Sequence, residues 1–285
     1  MATGQTVISG YYRTREDMIR RIGAKFQELK TKGEKAFIPF IMAGDPDLET
    51  TIRLVPELVR SGSHIIELGI PFSDPVADGP TIQRAGARAL RHGYAMSDYL
   101  KAVEAIRLQT EVPLLLFSYY NPIYCYGLEA LARDARSAGV DGVLVTDITP
   151  EEGEEYCDCL QRYALDSVFL AAPTSSAERV AKIAKCSRGF IYVVSRTGVT
   201  GAQQELSDTV RPTVERVRRH TDLPVAVGFG ISHPDHVRAV WDVCDGAVVG
   251  SAIVGAIEKV KDPSQLLPEV GTFCRWLTGG PDTSA

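Results

Sequence analysis

Three carboxylates occur within a segment of fourteen residues, ELGIPFSDPVADGP, at positions 67–80. Glu67 ends an apolar run, and Asp74 and Asp78 follow it among prolines and glycines. A carboxylate at the end of a strand can transfer protons or stabilise a developing positive charge. A purely structural interpretation is also open, in which Glu67 pairs with a buried arginine or lysine and both aspartates serve as turn and cap residues.

Two glycine-rich turns near the end of the chain have the composition of a phosphate site. They read GFGIS (228–232) and GSAIV (250–254), and each opens a helical pattern. A glycine backbone allows close approach of a ligand, and the free N–H groups of a helix N-terminus attract an anion. Ser251 lies at a capping position in the second turn. A third loop, SRTGVTGAQQ (195–204), combines glycines with small polar residues and is interpreted as a lid.

Eight short apolar runs alternate with amphipathic segments, which indicates a repeat of strand and helix. The predicted strands are residues 36–42, 63–68, 113–119, 140–147, 167–172, 189–195, 223–228 and 245–250. Strands that are apolar throughout are typical of a parallel sheet covered on both faces. The first predicted strand is followed by MAGDPD, which lacks the GxGxxG turn of an open nucleotide-binding sheet. The predicted fold class is therefore α/β, a single (β/α)8 TIM barrel.

We expect this barrel to form one domain over residues 1–278, with an additional N-terminal helix at 14–32 across its lower end. A C-terminal helix is predicted at 261–277 and a flexible tail at 279–285. In this fold the carboxyl ends of the strands and the loops after them form the active face. The prediction thus brings Glu67 and the glycine-rich turns to one face of the barrel.

Composition and charge exclude several classes of partner. The net charge of −5 argues against a nucleic-acid footprint. The longest apolar stretch, at 246–257, is shorter than the roughly 18 residues that span a bilayer, and the N-terminus lacks a signal-peptide pattern. We therefore predict a cytoplasmic protein with neither a nucleic-acid partner nor a membrane contact. The six cysteines form no CxxC pair and have no histidine at ligand spacing, so reduced thiols and no metal site are expected.

Six segments, in their order and separations, resemble the alpha subunit of tryptophan synthase. They are FIPFIMAGDPD, ELGIPFSDPVADGPTIQRA, SYYNPI, SRTGVTGA, GFGIS and VVGSAIV. The resemblance runs from about residue 37 to about residue 257, and the PFSDPVADGPTIQ segment is characteristic of that family. It implies a (β/α)8 barrel that cleaves indole-3-glycerol phosphate to indole and glyceraldehyde 3-phosphate without a metal or organic cofactor.

The resemblance makes Glu67 and Asp78 the catalytic carboxylates. The reaction needs a proton at the indole C3 atom, a base for the neighbouring glycerol hydroxyl and stabilisation of positive charge at the ring nitrogen. Glu67, at a strand end beside an apolar ring, is expected to have a raised pKa and to act as acid and then base. Asp78 is expected to remain ionised and to accept the indole N–H.

The same correspondence implies roles for further residues. Positions that match substrate-binding residues of the family are Phe40, Tyr119, Tyr192, Thr200 and Phe229. Positions that match the phosphate site are Gly201, Gly230, Gly250 and Ser251. Asp74 matches a loop residue at the partner interface.

The family implied by the resemblance works with a beta subunit in an αββα tetramer, and only that partner uses pyridoxal phosphate. Thr149 departs from the usual family pattern near the partner surface, which bears on how tightly a beta subunit binds. One alternative is a stand-alone lyase that releases free indole. Others are a catalytically silent barrel that regulates a synthase, against which the presence of Glu67 and Asp78 argues, and a phosphate-sugar isomerase.

Overall fold

A computed structural model describes residues 20–195, 203–228 and 230–279, and for residues 203–209 it describes the backbone alone. Within these ranges nine parallel strands form one sheet. They are β1 (Ala36–Met42), β2 (Ile66–Gly69), β3 (Leu114–Ser118), β4 (Gly142–Val145), β5 (Asp166–Val168), β6 (Leu170–Ala171), β7 (Ile191–Val194), β8 (Val225–Gly228) and β9 (Gly246–Val249). The predicted parallel barrel is therefore confirmed.

The sheet closes because β5 and β6 are two pieces of the strand predicted at 167–172. Their order in the sheet places β5 beside β4 at one end and β6 beside β7 at the other. The ladder changes partner at Phe169, whose carbonyl accepts the N–H of Tyr192 at 3.1 Å. The prediction of one continuous strand was wrong at this point, because the first part of this segment pairs with β4 and the second part pairs with β7.

Twelve α-helices surround the sheet in the described ranges. They are α1 (Arg21–Lys32), α2 (Leu48–Arg60), α3 (Pro80–Leu90), α4 (Met96–Arg107), α5 (Tyr120–Tyr126), α6 (Leu128–Ala138), α7 (Glu154–Arg162), α8 (Ala177–Cys186), α9 (Gln203–Arg218), α10 (Pro234–Trp241), α11 (Ser251–Lys259) and α12 (Leu266–Leu277). None of the helices in this part of the chain is both long and apolar enough to cross a membrane.

The helix α1 closes the lower end of the barrel, as predicted for residues 14–32, although 14–19 lie outside the described residues. Ile22, Phe26 and Leu29 join the apolar cluster inside the barrel, and the Phe26 ring lies 5.6 Å from that of Phe190. Ion pairs fix the start of the helix. Arg20 contacts Asp166 at 2.6 Å and Arg21 contacts Asp141 at 3.0 Å.

The C-terminal helix is shorter than predicted. A 3₁₀ turn, Pro263–Gln265, precedes α12, and Asp262 accepts the N–H of Ser264 at 2.9 Å. This aspartate caps the turn and separates it from the residues before it, so the regular helix begins at Leu266 rather than at 261. Most of the predicted tail, 280–285, lies outside the described residues.

Candidate active site

Glu67 is buried inside the barrel. Its neighbours in β2, Ile66 and Leu68, belong to the outer apolar cluster, so alternation directs Glu67 to the interior. The residue is 0 % exposed, and neither carboxylate oxygen has a hydrogen-bond partner within the described part of the chain. Burial raises the pKa of Glu67 well above its usual range, which favours the protonated form. The interpretation of Glu67 as half of a buried ion pair therefore has no support.

Tyr192 on β7 interacts electrostatically with this carboxyl group. It is buried, and burial together with the charge of Glu67 raises its pKa well above the usual value. Its hydroxyl occupies the space where a side chain at Gly228 would begin. A glycine at the end of β8 is thus required for this ring position, a requirement that sequence reasoning missed because it depends on which strands are neighbours.

Asp78 is half-buried in the loop between β2 and α3, and it is hydrogen-bonded to Tyr119. Burial raises the pKa of Asp78 to about 6, and the hydrogen bond from Tyr119 opposes that rise. At neutral pH the ionised form of Asp78 consequently predominates. Gly79 is the N-cap residue of α3 and no side chain caps this helix, so the Asp78 carboxylate does not act as its cap.

Tyr119, directly after β3, holds this loop in place. Its hydroxyl accepts the backbone N–H of Ala77 at 2.9 Å and is bonded to the carboxylate of Asp78. Burial, followed by the charge of Asp78, raises the pKa of Tyr119 to about 12, so the hydroxyl keeps its proton and can donate it to the carboxylate. The ring lies 5.2 Å from that of Phe72, which sequence reasoning did not include.

Aromatic rings line the pocket beside Glu67. Phe40 is the register partner of Glu67 on β1, and its ring meets that of Phe117 edge-on at 5.2 Å. Phe40 also packs against Gly69 and Gly250, which have no side chains and so leave room for it. Phe117 was missed, although the inward alternation of the third strand could have indicated it.

The upper interior also contains side chains that are inward-facing yet partly exposed. Leu170 and Val194 contact the inner apolar cluster but are only half-buried, as is Phe117. Residues of the lower interior, such as Ile38 and Leu115, are fully buried. The exposed side of the inner cluster is therefore at the carboxyl ends of the strands, where an apolar ring could be received.

The phosphate prediction falls partly within the described residues. Gly250 is the N-cap of α11 with φ −107° and ψ −81°, and Ser251 is the exposed first residue of the helix. The expectation that Ser251 caps the helix was wrong, because Gly250 takes that position and no side chain caps α11. Gly230 has φ +75°, a conformation that favours glycine. Thr200, Gly201 and Phe229 lie outside the described residues.

Asp74 lies apart from this chemistry. It is exposed and accepts the Ser73 hydroxyl at 2.5 Å, on the same loop as Val76, which is 88 % exposed. Among the residues that the structure describes, no group of three or more histidine, cysteine, aspartate or glutamate side chains is arranged to hold a metal ion. The six cysteines are free.

The arrangement joins three chemical features on the active face. A buried carboxyl group that favours its protonated form lies beside aromatic rings, and a second carboxyl group that favours its ionised form lies on the adjoining loop. The third feature is the N-terminus of α11, whose N-cap residue Gly250 has no side chain to cap the N–H groups of the first turn. Together these features suit acid–base chemistry on an aromatic ring that carries a phosphate.

Comparisons with known proteins agree with this chemistry. The sequence model of the family described as "Tryptophan synthase alpha chain" matches residues 26–278. The tryptophan synthase alpha chains of Geotalea uraniireducens (strain Rf4) and Solibacter usitatus (strain Ellin6076) are each 50% identical over 260 residues, which cover 91% of this chain and 97% of each relative.

Solved structures give the same result. Tryptophan synthase subunit alpha from Legionella pneumophila str. Paris superposes with a TM-score of 0.83 at 38% identity, over 90% of this chain and 97% of that chain. A ligand-free tryptophan synthase from M. tuberculosis, a mutant form, superposes with a TM-score of 0.81 at 35% identity and the same coverage.

Proposed function

This chain belongs to the tryptophan synthase alpha chain family, and from that premise we propose how its residues perform the lyase reaction. The reaction is the cleavage of indole-3-glycerol phosphate to indole and glyceraldehyde 3-phosphate. The observation that carries the proposal is the contrast between two carboxyl groups. Burial, with no hydrogen-bond partner among the described residues, raises the pKa of Glu67 and favours its protonated form, while Tyr119 favours ionised Asp78.

Glu67 moves the protons in this proposal. In its acid form it donates a proton to the indole C3 atom, which places a positive charge on the ring. The resulting carboxylate then takes the proton of the adjacent glycerol hydroxyl as the carbon–carbon bond breaks. The products are the aldehyde and neutral indole, and Glu67 is protonated again for the next turnover.

Asp78 stabilises the charge that develops on the ring. Its carboxylate accepts the indole N–H, and the interaction strengthens as the nitrogen becomes positive. Tyr119 holds the carboxylate in its ionised form and is itself fixed by the Ala77 N–H. Phe40 and Tyr192 contact the ring of the substrate, and Thr200 and Phe229 are assigned to the same pocket from the family resemblance alone.

The phosphate is held at the start of α11. The free N–H groups behind Gly250 and the exposed hydroxyl of Ser251 are suited to an anion, and Gly230 allows close approach from the neighbouring turn. Gly201 completes the cradle by family resemblance. The distance between this site and Glu67 sets the substrate length that the pocket accepts.

The chain is proposed to act with a tryptophan synthase beta subunit in an αββα tetramer that converts the indole to L-tryptophan. Pyridoxal phosphate belongs to that partner, and this chain uses no cofactor of its own. The exposed loop with Asp74 and the region of Thr149 are assigned to the interface by family resemblance, and the Thr149 hydroxyl donates to Glu152 at 2.9 Å. The chain is further proposed to be cytoplasmic and to form one domain over residues 1–278.

Release of indole from indole-3-glycerol phosphate by the purified chain, with and without a beta subunit, tests the proposal. A slow rate that rises sharply on adding the beta chain is expected. A fast rate that does not respond would indicate a stand-alone lyase that releases free indole. Absence of indole in both assays would overturn the assignment and favour a silent barrel or an isomerase.

A further inference from the structure

Arg88 joins three segments of the active face through its guanidinium group. Its Nε and Nη2 atoms donate to the two carboxylate oxygens of Asp45, both at 2.8 Å. Its Nη1 atom donates to Glu258 at 2.7 Å. A paired contact of this kind fixes both distance and orientation, which a single charge on a lysine does not. We call the Asp45, Arg88 and Glu258 contacts the Arg88 bridge.

The Arg88 bridge is buried at one end and exposed at the other. Asp45 is 3 % exposed, whereas 28 % of the Glu258 side chain is exposed. Arg84 extends the bridge on its outer side and donates to both oxygens of Glu258, at 2.8 and 2.7 Å. The contact with Asp45 is therefore the part that solvent screens least.

Each segment in the bridge begins beside a site residue. Asp45 follows β1, the strand that carries Phe40. Arg88 lies in α3, which begins two residues after Asp78. Glu258 lies in α11, whose first residue is Ser251. The Arg88 side chain therefore connects three segments: the one that follows the strand of Phe40, the helix that follows Asp78, and the helix that begins at Ser251.

An apolar contact lies between the same three segments. Phe40 and Met42 of β1, Ala85 and Ala89 of α3, and Val254 of α11 form one buried cluster. The two alanines are small, which allows α3 to pack closely against β1 and α11. Apolar contacts are not directional, and the hydrogen bonds of the Arg88 bridge add direction to this packing.

Two members of the bridge, Arg88 and Glu258, remain charged across the range in which the enzyme would be assayed. Hydrogen bonds to Asp45 raise the pKa of Arg88 above its ordinary value. The hydrogen bond from Arg84 contributes most to lowering the pKa of Glu258 to about 2. A change of pH near neutrality thus titrates Asp78 while Arg88 and Glu258 keep their charges.

We propose that Arg88 is a positioning residue for the lyase reaction, which holds the Asp78 loop at a fixed distance from the phosphate-binding end of α11. The inference rests on the proposed function, since both ends of the substrate must be in place before the reaction can proceed. A displacement of about 1 Å in such an arrangement can lower a rate by about 10²-fold.

The test compares kcat and KM for indole release, together with thermal unfolding, in wild type, Arg88→Gln and Arg88→Lys. Arg88→Gln is expected to lower kcat/KM at least about tenfold, with a lower kcat and a higher KM. Arg88→Lys keeps the charge but not the paired geometry, and recovers only a small part of the loss. Arg60→Gln is the matched control because Arg60 makes a similar contact with Glu57 at 2.8 and 3.0 Å on α2.

Glu258→Gln keeps the proposal testable if Arg88→Gln does not fold. It disconnects α11 alone at a more exposed position, so KM is expected to rise about threefold or more while kcat changes little. Unchanged kcat and KM in the folded variants, with only a lower unfolding temperature, would reduce Arg88 to a stabilising residue and overturn the inference. An inactive wild type would instead refute the proposed function.

Discussion

Tyr119 and Asp78 share a hydrogen bond between the end of β3 and the loop after β2. The same hydroxyl accepts the Ala77 N–H at 2.9 Å, so the loop is held at two consecutive residues by one side chain. The bond to the carboxylate lowers the pKa of Asp78 against the opposing effect of burial. Tyr119 therefore controls both where Asp78 lies and how much of it is ionised.

Tyr119→Phe is expected to raise the pKa of Asp78 above about 6, because the carboxylate loses the donor that stabilises it. The acid limb of the profile of kcat/KM against pH should move to higher pH. The exposed Tyr124, changed to Phe, serves as the control and should leave that limb in place. If the acid limb does not move in Tyr119→Phe, the ionisation that it reports is not that of Asp78.

Glu67→Gln is expected to lower the cleavage rate by about 10²–10⁴-fold with substrate binding retained. The amide keeps the shape of the side chain but cannot donate and recover a proton. Indole release under saturating substrate measures kcat, and binding of substrate to the variant is measured separately. Turnover close to that of the wild type would remove Glu67 from the mechanism.

The same variant should be more stable than the wild type at high pH. The pKa of Glu67 is raised above 4.5 in the folded chain, so the stability that its protonation supplies is complete below that value and is lost as pH rises toward the folded pKa. Glu67→Gln has no such loss, and its advantage should grow by about 1.4 kcal/mol per pH unit over that window. Urea unfolding at several pH values measures this difference, with the exposed Glu104→Gln as control; a difference independent of pH would contradict it.

Ser251→Asp is expected to raise KM because a negative side chain at the start of α11 repels the substrate phosphate. Ser264→Asp places the same charge at an exposed serine of the 3₁₀ turn and should leave KM unchanged. Steady-state kinetics on the two variants is sufficient. Equal KM values would locate the phosphate elsewhere.

Gly228→Ala should displace Tyr192, since the new methyl group would overlap the tyrosine hydroxyl. We expect a loss of about 1–3 kcal/mol in unfolding free energy and a lower kcat/KM. Gly23→Ala is the matched substitution in α1, where nothing lies near the added carbon, and it should stabilise the chain by about 0.5–1 kcal/mol. Unfolding and kinetics that do not differ between the two variants would argue against the close contact.

The sequence pattern predicted a strand well where the apolar run and the backbone pairing of the strand have the same bounds. It predicted a strand less well where a side chain takes part in the hydrogen bonds between strands. The first strand was predicted at 36–42, as observed. The second was predicted from 63 but begins at Ile66, because His64 accepts the Phe37 N–H through its ring nitrogen at 3.0 Å. Such a substitution of a side chain for a backbone partner leaves no trace in hydrophobic periodicity.

The site was predictable in part for a similar reason. Glu67 and Asp78 stand out as carboxylates beside a strand end, and their segment is characteristic of a family. Phe117 does not, because a phenylalanine in an apolar strand is ordinary until its neighbours are known. Gly228 was noted only as part of the glycine-rich GFGIS turn, and its contact with Tyr192 depends on which strands are neighbours. The register that sets Phe117 beside Gly69, and Gly228 beside Val194, comes from the closure of the whole sheet.

The position of α1 bears on how product leaves the enzyme. Within the described part of the chain, Ile22 and Phe26 pack into the inner apolar cluster and fill the lower end of the barrel. We therefore expect indole formed beside Glu67 to leave at the carboxyl ends of the strands, on the side of the loop that carries Asp78. A protein bound over that face of the barrel would then decide whether indole reaches bulk solvent.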